Sequence, residues 1–153
     1  MGDLLEWFAQ EATGAFAWLA VEYLCRIPSE GGIRNQKPIF ASVLWTNDQV
    51  FVEVILECPR PALDVQFGLL LGNRPPPSSA THDRYHLEEL AAVRGAQGSA
   101  PEDIRLRSLR KRDIRRSLRT ASLALHLQAP LVLQGRPTIF LELDAAREAR
   151  RQS

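Results

Sequence analysis

Ile39–Leu71 reads IFASVLWTNDQVFVEVILECPRPALDVQFGLLL, and this stretch decides the fold. Ile39, Ala41, Val43 and Trp45 alternate with Phe40, Ser42, Leu44 and Thr46, the period of two that sends alternate side chains to opposite faces of a strand. Asn47-Asp48 then turns the chain, because these side chains satisfy turn backbone groups themselves. A second strand sets Val50, Val52, Val54 and Leu56 against Phe51, Glu53, Ile55 and Glu57. Cys58-Pro59-Arg60-Pro61 interrupts the pattern, since proline donates nothing to a ladder. The third strand carries Leu63, Val65, Phe67, Leu69 and Leu71 on one face, with Asp64 and Gln66 on the other. Connections this short make an antiparallel meander with one apolar face for helices to cover.

Helical patterns flank the meander. Leu5, Phe8, Ala12, Ala15, Phe16, Leu19 and Tyr23 recur at spacings of three and four, one apolar helical face. Trp7 and Trp18 form a second stripe, so this helix is either packed on two sides or carries a partner surface. Pro28 and Gly31-Gly32 end it. After the meander, residues 73–80 form a stiff Pro-rich loop, and His86–Arg94 is a short helix with Leu87, Leu90 and Ala91 facing inward. Ser99 and Glu102 have capping-box spacing. From Ile114, Leu118, Ala121 and Leu125 continue one face, Leu123 and Leu127 widen it, and Pro130 stops it. Thr138 is placed to cap a last helix with Phe140, Leu143 and Ala146. The expected architecture is a single α+β domain over residues 1–153, a three- to four-stranded antiparallel meander against an N-terminal helix and C-terminal helices.

Bulk properties set wider bounds. A chain of 153 residues is the size of one domain and can bury a self-sufficient core. With 45% hydrophobic and 24% charged residues it is not a disordered composition. The net charge of +1 gives no global field for nucleic acid or membrane. No apolar run approaches the roughly 20 residues of a membrane span. The acidic Asp3 and Glu6 stand where a secretory leader carries basic residues. Cys25 and Cys58 are too few for a disulfide framework. These features imply a soluble, cytoplasmic protein.

The groups that could carry chemistry are scattered. His82 and His86, four apart, would share a helix face and could share a metal, but the sequence Asp83-Arg84-Tyr85 between them lacks the zincin glutamate. His126 stands among leucines as a half-buried packing residue. Cys58 has Arg60 nearby, yet Asp64 occupies the place where a phosphate-cradling cysteine loop needs arginine. Gly95 and Gly98 form an isolated GxxG. Glu53 and Glu57 lie on an outer strand face, where carboxylates keep a sheet surface wet. No catalytic residue, metal site or cofactor is expected from these.

The basic stretch is the most distinctive feature outside the core. Between Glu102 and Arg119 stand Arg105, Arg107, Arg110, Lys111, Arg112, Arg115, Arg116 and Arg119 against Glu102, Asp103 and Asp113, eight minus three or a local +5. Met1–Arg26 holds four acids and one base, a local −3. Arginine forks suit carboxylates and phosphates alike. Nucleic-acid binding would add interleaved aromatics or a recognition module, and the stretch has neither. The stretch therefore reads as a solvated helix face or as a contact for another protein, an acidic one; a pairing with the acidic first helix would also serve. A small enzyme resting on His82, His86 and Cys58, and a nucleic-acid-associated protein using residues 105–119, are the alternatives. Oligomeric state is left open.

An aromatic-rich first helix, then VLWTNDQVFVEV at Val43–Val54, LDVQFGLL at Leu63–Leu70 and LVLQGRPTIFLEL at Leu131–Leu143, resembles a group of small, uncharacterised bacterial proteins of helix, β-meander and helix build. Some of that group are similar to immunity proteins of polymorphic-toxin systems. Where its members often read Leu-Arg-Gly-Asp before the last helix, this chain has Leu133-Gln134-Gly135-Arg136. The resemblance implies an α+β fold and a non-catalytic, toxin-neutralising protein; it implies no catalytic or binding residue.

Overall fold

The computed structural model describes residues 2–36, 40–94 and 105–152. Its centre is a five-stranded antiparallel sheet in sequence order: β1 (Ile33–Gln36), β2 (Phe40–Thr46), β3 (Val50–Glu57), β4 (Ala62–Leu69) and β5 (Tyr85–His86). The α+β meander is present, with more strands than the three or four expected. β1 has four residues and β5 two, too few to show a period of two, and short polar edge strands of this kind discourage pairing with other chains. The expected first residue of β2, Ile39, lies outside the described residues.

One sheet face is a continuous apolar layer. Val43 is opposite Val54 and Val54 opposite Val65; Trp45, Val52, Phe67 and Tyr85 make the next row. All are buried. The turn between β2 and β3 is held by Asn47, whose side-chain oxygen accepts from the backbone N–H groups of Gln49 and Val50 at 2.8 and 2.9 Å. Its amide group donates to the carbonyls of Tyr23 and Leu133, tying the turn to the helical layer. Leu69 and Leu71, expected on the buried face, are exposed. β4 ends at Leu69, and Leu71 has already turned to bridge Arg74.

The helical layer is α1 (Gly2–Ala15), α2 (Trp18–Tyr23), α3 (Leu87–Arg94), α4 (Lys111–Val132) and α5 (Pro137–Gln152). The single first helix expected from the sequence is two. At the break, Ala17 N–H reaches Gly14 O and Leu19 N–H reaches Phe16 O, three-residue bonds that tighten the turn just beyond the helix-weakening Gly14. The apolar period survives it: Leu5, Phe8, Ala12, Phe16 and Leu19 are all buried. Pro130, expected to stop α4, sits inside its last turn; so near the end it removes one backbone bond, and Leu133 N–H still caps onto Ala129 O. Helix α5 starts on Pro137, a favoured first helical position, so Thr138 lies within it and is no cap. Leu123 and Leu127, expected to widen the buried face of α4, are exposed instead.

The other sheet face is covered locally by the segment leading into β5. Gly68 permits this approach: a Cβ there would lie 2.6 Å from the Asp83 carbonyl oxygen. Arg84 then comes in over the Phe51 ring at 4.9 Å. Phe51 and Glu53, the outward residues of β3, are thereby as buried as the core.

Candidate functional site

The outer sheet face holds a row of polar side chains that crosses all five strands. Glu53 on β3 accepts from Arg34 on β1 at 2.7 Å and Ser42 on β2 at 2.9 Å through one carboxylate oxygen. Its other oxygen accepts from Arg84 at 2.7 Å. Arg84 also donates to Gln66 on β4 and twice to the Pro76 carbonyl. Gln66 donates to Asp64, which meets His86 Nδ1 at 3.0 Å. The expectation that Glu53 merely wets the sheet is wrong; at 1% exposure it is a buried charge, while Glu57 does face solvent. Burial raises the Glu53 pKa, but Arg34 and Arg84, with Ser42, outweigh it and hold the carboxyl below its ordinary value. Asp64 is lowered likewise, its burial outweighed by His86 and Gln66.

His86 titrates in the opposite sense. Its bond to Asp64 raises its pKa against the opposing pull of burial. The pH dependence follows by linkage. Glu53 and Asp64 contribute stability that is complete above the ordinary carboxylate range, about pH 4–4.5, and is lost as pH falls through their lowered folded values. His86 contributes stability that is complete below its ordinary value of about 6.5 and is lost as pH rises through its raised folded value. Melting temperature measured from about pH 6 to 9 should therefore decline more steeply for the wild type than for His86→Ala. Parallel curves would show that His86 gains no proton affinity on folding.

The other candidates are dispersed. His82 lies in the 3-10 turn Thr81–Asp83 and His86 on β5, so their four-residue spacing does not bring them to one helix face. Among the described residues no three His, Cys, Asp or Glu side chains gather as a metal site. His126 stacks on Trp18 at 4.4 Å and meets Glu22 at 3.0 Å. Cys58 is buried at the end of β3. Burial raises both thiols, Cys25 to about 11, and so keeps them protonated. Gly95, Gly98, Ser99 and Glu102 lie outside the described residues.

The basic stretch is divided by the fold. Arg105 and Arg107 flank the buried Leu106 in the segment before α4, and Arg110 precedes its first turn. Arg115 faces α1: it bonds Glu11 at 3.0 Å and its guanidinium lies over the Trp7 ring, with Lys111 over the same ring. That is the internal pairing with the acidic first helix. Arg112, Arg116 and Arg119 are exposed, with no carboxylate partner among the described residues, and Arg119 shares with Arg115 a groove bordered by Glu11 and Gly14 of α1.

Continuing that row along α4 gives the feature sequence reading missed. Arg112, Arg116, Arg119, Leu123 and Leu127 are spaced four, three, four and four, a single outward stripe. Leu123 is 57% and Leu127 58% exposed. The signal lay in the leucines sharing the arginines' spacing; it is hidden because they also border the buried Ala124 and Leu125. A shallow groove lined by Arg112, Arg115, Arg116, Arg119 and Thr120 marks the basic end.

No protein-family model matches the chain, and neither a curated protein nor a solved structure is detectably similar to it. Among the described residues no helix is long and apolar enough to cross a membrane.

Proposed function

We propose that the protein is a non-catalytic protein-binding module of the cytoplasm, and that the outward stripe of α4 is its binding face. The observation that supports this reading is the continuity of three arginines, without a carboxylate partner among the described residues, with two exposed leucines on one helix. Arginines alone would suit any polyanion. Leucines in the same row ask for an apolar anchor beside carboxylates, which a folded protein offers and a phosphate backbone does not. His86, His126, Cys25 and Cys58, which an enzyme would call on, are engaged in packing and ion pairs, and the exposed His82 lies apart from them in its 3-10 turn. In the form implied by the resemblance to immunity proteins, the partner is a toxin.

The test is a pull-down from the native host, with and without nuclease, comparing wild type with Arg112→Glu/Arg116→Glu and Leu123→Asp/Leu127→Asp. A protein partner is expected that survives nuclease, is lost with either double variant and keeps most of its affinity as salt rises. Nucleic acid alone, lost on nuclease treatment and falling steeply with salt, overturns the reading. Recovery by both variants equal to wild type overturns it as well.

A further inference from the structure

The occupant that the α4 stripe asks for, carboxylates at one end and apolar side chains at the other, is presented by the chain itself on the neighbouring helices. Contacts between the two helical runs share one register. Arg115 meets Glu11, Ser122 meets Trp18 and His126 meets Glu22, each pair 104 residues apart. A constant separation means that α1–α2 run parallel to α4, level with it along their length. The exposed positions of α1–α2 begin with Asp3 and Glu6, pass Gln10 and the small Gly14, Ala17 and Ala20, and end with Val21, Glu22 and Leu24. By the same register Glu6 lies level with residue 110, beside Arg112, and Val21 lies level with 125, between Leu123 and Leu127.

The outward face is thus two parallel stripes with matched ends. One end sets acid on α1 level with base on α4; the other carries aliphatic side chains on both helices, Val21 80% and Leu24 82% exposed, on either side of the half-exposed Glu22–His126 pair. Leu24 also holds a left-handed backbone, φ 58°, a position glycine normally fills. A Cβ at Gly14 would meet nothing within 4 Å, so the middle of the face is open to close approach.

We infer that this face pairs with a second copy of the chain about a twofold axis parallel to the helices. Such an axis preserves level and exchanges the stripes. Each copy's α1–α2 then lies across from the other's α4, with Glu6 against Arg112 and Val21 and Leu24 against Leu123 and Leu127. An isologous contact requires that same self-complementarity, residue i on j and j on i. The inference rests on the protein-binding reading above and takes a second copy of the chain, in place of a toxin, as the occupant of this face. From Glu6 to Leu24 the face runs roughly 27 Å and is about 20 Å wide. Each copy would bury on the order of 500–600 Å², under the roughly 800 Å² per partner of a standard interface. A contact that small suits a reversible dimer, sought at chain concentrations of about 1–100 μM.

Sedimentation of the purified full chain across that range, with melting curves to confirm folding, tests it. The wild type should move from monomer to dimer. Glu6→Arg and Arg112→Glu should each weaken association at least about tenfold. An equimolar mixture of the two should restore it, because the mixed dimer joins Arg at position 6 to Glu at 112 on one side and keeps the native pair on the other. Leu123→Asp should weaken association with no rescue by either. Monomer throughout, dimerisation indifferent to these variants, or a mixture no stronger than its components would overturn the inference. A monomer that still recovers a nuclease-resistant partner from the host leaves the protein-binding reading standing; a monomer that recovers none removes both.

Discussion

Glu53→Ala is expected to destabilise the fold by about 3–5 kcal/mol, the range for removing one partner of a buried ion pair. The cost arises less from the bonds lost than from what remains. Arg84 is 5% exposed and stays anchored by the Pro76 carbonyl and Gln66, so its guanidinium cannot retreat to water when its counter-charge is gone. Arg34 is a lesser concern, with 41% of its side chain exposed and solvent to screen it. Glu53→Gln should cost less than alanine, because it keeps an acceptor for Arg84 and Ser42 while losing the charge. A paired replacement, Glu53→Leu with Arg84→Met, should recover much of the loss, since neither buried charge is then left alone. The measurement is a double-mutant cycle by denaturant unfolding. A loss under about 1 kcal/mol for Glu53→Ala would mean that water reaches Arg84, and that the outer face is not sealed by residues 74–84.

That face also shows where the sequence is legible and where it is not. The apolar side of the meander follows from alternation in β2, β3 and β4: Val52, Val54, Val65 and Phe67 are buried as the pattern requires, and it fails toward the two ends of β4, where Leu63 is half-buried and Leu69 and Leu71 are exposed. The burial of Phe51 and Glu53 has no such local signal. It depends on a Pro-rich loop folding back over β3, on Gly68 admitting it, and on Arg84 arriving thirty-one residues downstream to meet the carboxylate. An alternating apolar–polar strand predicts a wet polar face until some distant segment covers it. β1 and β5 escape notice for a related reason: their pairing is set by neighbouring strands rather than by their own few residues.

The division of the arginines is intermediate. Their density is plain in the sequence, and so is the acidic first helix that could meet them. Which arginine turns inward is decided by the parallel register of α1 and α4, which puts Arg115 on Glu11 and Trp7 and leaves Arg112, Arg116 and Arg119 outside. The placing of Leu123 and Leu127 depends on the same rotation of α4. With Ile114, Leu118, Ala121 and Leu125 on the sheet and Ser122 locked to Trp18 and to Ala15 O, the two leucines have only solvent or a partner to face.

Phe67→Ala should cost roughly 3–5 kcal/mol, the range for a buried phenylalanine truncated to a cavity. Phe67 is fully buried at the centre of β4, opposite Val52 on one side and Tyr85 on the other. Its ring lies 6.1 Å from that of Tyr85 and 6.3 Å from that of Phe140, so it is where α5 docks on the sheet. The void cannot collapse readily, because the backbone around it is fixed by ladder bonds and by Tyr85, whose hydroxyl donates to Asp144 at 2.7 Å. In a chain of this size each kcal/mol lowers the melting temperature by roughly 2–4 °C, giving a drop of roughly 6–20 °C. The loss should also be local in character. Amide exchange should accelerate first in α5 for Phe67→Ala, whereas Phe16→Ala, which removes the ring 5.7 Å from Trp45, should release α1 and α2 first. Losses below about 1 kcal/mol at both positions, or the same exchange pattern from both variants, would show that helices and sheet are not joined through these two aromatic contacts.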